Sequence, residues 1–118
     1  MFFTIPLNNY IYLQIVKNTY TNKMKKHVNL IISGKVQHVG FRFMAMQAAY
    51  KYGVFGYARN KNNGNIMIEA EGDEDNVNNF IEWCKIGPMG STIKEIEMEE
   101  GEMQDYKAFD VKGSGHKH

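Results

Sequence analysis

VNLIISGKVQHVGFRFMAMQAAYKYG, residues 28–53, contains the change of period that decides the fold. Its first six residues, Val28 to Ser33, are mostly β-branched or apolar and read as a strand inside a sheet. Gly34 ends that run, and Gly34 to Gly40 reads as a loop. From Phe41 the spacing changes. Phe41, Met44, Ala45, Ala48, Ala49 and Tyr52 fall on one stripe of a helix, and Gly53 stops it.

Downstream the same signals repeat. Val54 to Lys61 and Asn65 to Glu71 read as the second and third strands. Asn62-Asn63-Gly64-Asn65 joins them as a hairpin turn, because Asn and Gly tolerate positive φ. Gly72-Asp73-Glu74-Asp75 opens a second helix, with acids where the helix dipole favours them. Val77, Phe80, Ile81 and Cys84 form its buried stripe, and Gly87-Pro88 ends it. Ile93 to Glu100 and Tyr106 to Lys112 are the fourth and fifth strands. The order is β-α-β-β-α-β with a late fifth piece. It predicts an α+β ferredoxin-like sandwich: an antiparallel sheet with two helices on one face.

Upstream, residues 1–23 are apolar only in patches. They lack the basic start and small-residue cleavage site of a secretory signal. We read them as an appendage, with Met24 as an alternative start, a domain over residues 24–112 and a flexible tail over 113–118. The 118 residues suit one domain. With 43% hydrophobic and 23% charged residues, the composition is that of a globular protein. A single cysteine, Cys84, excludes an internal disulfide framework and any multi-Cys metal site. Trp83 and Cys84 read as packing groups, and the eight Met as core filler.

The net charge of +1 conceals an asymmetry. Residues 1–68 hold nine Lys/Arg and no Asp or Glu, so all thirteen acids lie from Glu69 onward. The first half faces anions and offers no carboxylate base or hard-metal ligand. The run Glu95 to Glu102, alternating with Ile96 and Met98, reads as a solvated strand face.

Two stretches carry chemistry. Gly34-Lys35-Val36-Gln37-His38-Val39-Gly40-Phe41-Arg42 joins a strand to a helix. A helix start offers free N–H groups and partial positive charge, so Arg42 in its first turn suits an anion held between them. The plainer reading is an Arg reaching into solvent. In Gly56-Tyr57-Ala58-Arg59-Asn60, Asn60 ends a strand that could lie beside the first. Asn cannot ionise, so it orients a water rather than deprotonating it. Alternatively, Asn60 hydrogen-bonds its own hairpin.

Together these stretches resemble the acylphosphatase family. Residues 34–42 match its signature G-x-V-Q-G-V-x-F-R except at His38, where Gly is usual. Gly56, Tyr57, Ala58, Arg59, Asn60, Gly64 and Gly72 fit its second signature, with Ile66 in place of Val. The resemblance spans about residues 27–112. It implies metal-independent hydrolysis of acylphosphates without a cofactor. Arg42 would bind the phosphoryl group, Asn60 would place the water, and Gln37, His38, Val39, Gly40 and Phe41 would supply backbone N–H groups. His38 sits where Gly would permit positive φ. Either the loop keeps its shape with the imidazole exposed, or phosphate affinity becomes pH-dependent, as His side chains titrate near neutrality.

The resemblance also implies a small-molecule acylphosphate substrate. We expect a cytoplasmic monomer with no nucleic-acid or membrane partner. A non-catalytic anion- or RNA-binding module of the same fold is the main alternative. For RNA, the basic first half and Tyr50, Tyr52, Phe55 and Tyr57 speak in favour, but a Gly-Phe-Gly-Phe-Val core is missing.

Overall fold

A computed structural model describes residues 24–113. The 1–23 appendage and the tail from 114 onward lie outside the described residues. The elements run β1 (Lys25–Lys35), α1 (Phe41–Tyr52), β2 (Phe55–Asn60), β3 (Ile66–Asp73), α2 (Glu74–Ile86), β4 (Thr92–Gly101) and β5 (Phe109–Lys112). The sheet order is β4-β1-β3-β2-β5.

Strand alternation sets the two faces. On β1, Val28, Leu30 and Ile32 are fully buried, while Asn29, Ile31 and Ser33 are half-buried on the other face. Ile66, Ile68 and Ala70 of β3 and Ala58 of β2 join the buried set. Ala45, Ala48 and Ala49 of α1 and Val77, Phe80, Ile81 and Cys84 of α2 close over it. Both helices therefore cover one face, as the sequence predicts. Burial pushes the Cys84 thiol well above its ordinary range, which removes its reactivity.

The predicted all-antiparallel sheet needs one correction. The pairs β1–β3, β1–β4 and β2–β3 are antiparallel, but β5 lies parallel to β2. A parallel pair needs a crossover rather than a hairpin. The chain after β4 provides it by crossing from one edge of the sheet to the other. For that reason the predicted fifth strand shrinks. Tyr106 belongs to the crossing and only Phe109–Lys112 pairs.

Glu71 is the post over which the crossing runs. It is 1% exposed, on the sheet face opposite the helices. Its carboxylate accepts from the Gln104 N–H at 2.8 Å and the Tyr106 N–H at 2.8 Å. His27 Nδ1 lies 2.7 Å from Oε1 and completes the set. Burial alone would raise the Glu71 pKa. The donors outweigh it and hold the carboxyl below its ordinary value. Beside it, Tyr57 and Tyr106 both donate their hydroxyls to Glu69. Burial first, then the bond to Glu69 and its charge, push the Tyr57 phenol up to about 12.

Two packing expectations fail. Met44 is 40% exposed, and Met24, Met89, Met98 and Met103 are exposed too, so most methionines here are not core filler. Met46 alone among those of α1 packs against the core. The buried stripe of α1 is narrower than six apolar residues suggest: Phe41, Ala45, Ala48 and Ala49 are buried, and Met44 is not. The acidic face of β4 is exposed as expected.

Candidate active site

β1, β2 and β5 point the same way, since β1 and β2 both oppose β3 and β5 parallels β2. Their carboxyl ends meet at one end of the sheet. β1 feeds the loop into α1, β2 ends at Asn60, and β5 ends at Lys112. Asn60 does not lie beside β1. β3 separates them, with Ile66 registered against both Asn60 and Ile32. The sheet thereby spaces Asn60 from the loop by one strand.

The loop is shaped by two left-handed residues. His38 has φ 68° and Gly40, the residue before the helix, has φ 74°. Gly40 offers no capping side chain, and α1 has no acid in its first turn. The first N–H groups of α1 have no acceptor within the helix. Left-handed turns of this kind aim successive amides into one concavity. Phe41 anchors the helix start, at 2% exposure, against the edge of Trp83 with ring centroids 5.6 Å apart.

A cleft of about 340 Å³ opens here. Gln37, His38, Gly40, Phe41, Arg42 and Asn60 line it, with Val36, Phe43 and Val111. Six of the seven residues singled out in the sequence thus come together. Val39 is the exception: its side chain packs against the core. No carboxylate or thiol lines the cleft. Among the described residues, no three His, Cys, Asp or Glu side chains gather as a metal site.

Arg42 is half-buried, and its Nη1 donates to the Lys112 carbonyl on β5. It does not simply reach into solvent. One donor is fixed and the rest of the guanidinium stays available. Asn60 Oδ1 is buried and accepts no hydrogen bond from any described group. The hairpin reading for Asn60 fails, because that turn closes without it. Lys61 N–H donates to Asn65 O at 2.8 Å, and Asn65 N–H to Asn63 Oδ1 at 3.0 Å. Gln37 has a role that the sequence does not reveal. Its Nε2 donates to the carbonyls of Lys61 and Asn65 at 2.8 and 2.9 Å. That side chain ties the loop to the hairpin that carries Asn60.

The aromatic residues that suggest RNA are divided between two elements, with Phe55 and Tyr57 on β2 and Phe55 exposed. Tyr50 and Tyr52 lie on α1, and Tyr57 is 7% exposed beneath Lys112, whose Nζ sits 4.1 Å from its ring centre.

The fold and the cleft define a class: a ferredoxin-like α+β domain with a cleft at its first strand–helix junction. Residues 28–111 match the acylphosphatase family, and the chain belongs to it. An acylphosphatase from Aliivibrio fischeri is 40% identical over 78 residues, covering 66% of this chain and 87% of that protein. One from Pyrobaculum islandicum is 42% identical over 85 residues, covering 67% and 88%. In structure, the chain resembles the acylphosphatase from Bacillus subtilis with a TM-score of 0.71 at 30% identity, covering 73% of this chain and 97% of that one.

Proposed function

We propose that this cleft hydrolyses the carboxyl–phosphate bond of acylphosphates, with Arg42 and Asn60 as its catalytic residues. The phosphoryl oxygens take N–H donors from the loop over residues 37–41 and from the free side of the Arg42 guanidinium. Asn60 Oδ1 accepts a hydrogen bond from the attacking water and holds it in line with the leaving oxygen. A P–O bond forms to water as the P–O bond to the acyl group breaks. The electron pair leaves with the carboxylate, and the water's proton passes to a phosphoryl oxygen. The products are a carboxylate and inorganic phosphate.

The chemistry asks little more of the protein. A carboxylate is a weakly basic leaving group and needs no general acid. The loose transition state of phosphoryl transfer demands positioning and charge stabilisation. Positioning and charge stabilisation suffice for such a leaving group, so the reading uses no metal and no cofactor. The observation that carries it is the gathering of Asn60, Arg42 and the start of α1 around one cleft, with Asn60 Oδ1 unpartnered.

Among the described residues no helix is long and apolar enough to cross a membrane. We take residues 24–112 as the working domain, a cytoplasmic monomer acting on a small acylphosphate without nucleic acid. The test is hydrolysis of an aryl acylphosphate with and without chelator. Wild-type turnover is chelator-insensitive. Arg42→Ala and Asn60→Ala each lower kcat by about 10²–10³ while remaining folded. An Asn60→Ala enzyme with unchanged kcat would remove the water-positioning role.

A further inference from the structure

Two side chains in the cleft have no use for a phosphoryl group. Phe43 and Val111 line it and are exposed at 58% and 38%. The other apolar groups of the lining, Val36 and Phe41, are sealed at 1% and 2%. The accessible apolar surface that this cleft offers an acyl group attached to a phosphoryl held by Arg42 is therefore that of Phe43 and Val111. Both line the same cleft as Arg42. Phe43 directly follows Arg42, and Val111 directly precedes Lys112, whose carbonyl accepts from Arg42. That hydrogen bond pins β5 to the first turn of α1. It holds the two apolar groups at one mouth. A Phe on a solvent-facing helix surface gains nothing until an apolar group covers it.

We propose that Phe43 and Val111 form an acyl subsite that selects aryl and branched apolar acylphosphates over small polar ones. This rests on the reading of the cleft as an acylphosphate hydrolase. The acyl group keeps its contacts through the reaction, so the subsite acts mainly on KM.

The test compares kcat/KM for benzoyl phosphate and acetyl phosphate. The variants are Phe43→Ala, Val111→Ala and Tyr50→Ala, the last an exposed aromatic on α1 outside the cleft lining. Phe43→Ala is expected to cut the benzoyl-to-acetyl ratio about tenfold, through the KM for benzoyl phosphate. Val111→Ala cuts it less, and Tyr50→Ala keeps the wild-type ratio. Acetyl phosphate turnover in each variant reports that it is folded. A ratio that stays at the wild-type value in both Phe43→Ala and Val111→Ala overturns the subsite and leaves the hydrolase reading intact. No turnover of either compound by the wild type overturns the hydrolase reading, and the subsite with it.

Discussion

His38 occupies the left-handed region at φ 68°, at the position where the family signature has Gly. The loop has kept the backbone that Gly would allow and placed a side chain on it. A non-Gly residue held there costs on the order of 1 kcal/mol or more. Replacing it with Gly relieves that strain but adds freedom to the unfolded chain. The strain is the larger effect, so His38→Gly is expected to gain about 0.5–1 kcal/mol of stability. Urea denaturation of both proteins checks this, and a loss on substitution would mean that the ring makes contacts worth more than the strain. The imidazole is exposed and lines the cleft. Phosphate inhibition constants from about pH 5.5 to 8 therefore show whether it touches the anion. Coincident curves for wild type and His38→Gly would leave it a bystander.

At the scale of elements, the loop and the β2–β3 hairpin act as one unit because Gln37 bonds both sides of the turn. Gln37→Met keeps the length and removes the donors. The two carbonyls retain their other partners, Gly64 N–H on Lys61 O and Lys61 N–H on Asn65 O. The stability loss is therefore modest, about 1 kcal/mol. Catalysis suffers more, since the loop and Asn60 lose their fixed spacing. We expect kcat to fall about tenfold or more with little change in Tm. Unchanged kcat in a folded variant would show that the sheet alone sets the spacing. The elements themselves were legible because burial pattern is local: Val28, Leu30 and Ile32 alternate, and Val77, Phe80, Ile81 and Cys84 follow a helix. Arg42 and Asn60 were legible as motif residues. Their partners were not. A backbone carbonyl such as that of Lys112 has no signature, and a Gln side chain does not announce which turn it will reach. Phe43 gave a readable sign, an aromatic off the stripe of its helix, but one that names no ligand.

Across the whole molecule, one buried carboxylate near the other end of β3 from the cleft holds the crossing that leads to β5. Glu71 holds Gln104 and Tyr106 of the crossing. The crossing delivers Phe109–Lys112 alongside β2, and Lys112 then holds Arg42. The charge asymmetry fits this division. The acid-free first half builds the cleft apart from Val111, while Glu69 and Glu71 work on the sheet face away from the helices. Folding holds the Glu71 carboxyl below its ordinary value of 4.5. A depressed carboxylate contributes stability that is complete above the unfolded value and is lost as pH falls through the folded one. Wild-type stability should therefore hold from neutrality to about pH 5 and decline below it. Glu71→Gln keeps the shape but replaces charge-assisted hydrogen bonds with weaker ones. Its Nε2 also presents donors where backbone N–H groups point. We expect it to lose about 2–3 kcal/mol at pH 7, to show a shallower decline in acid, and to lose part of kcat through a displaced Arg42. Urea midpoints at pH 7 and at about pH 3.5, with kcat on the same samples, decide it. A stability loss with kcat unchanged would mean that β5 finds its place beside β2 without the crossing, and that Lys112 holds Arg42 whether or not Glu71 is charged.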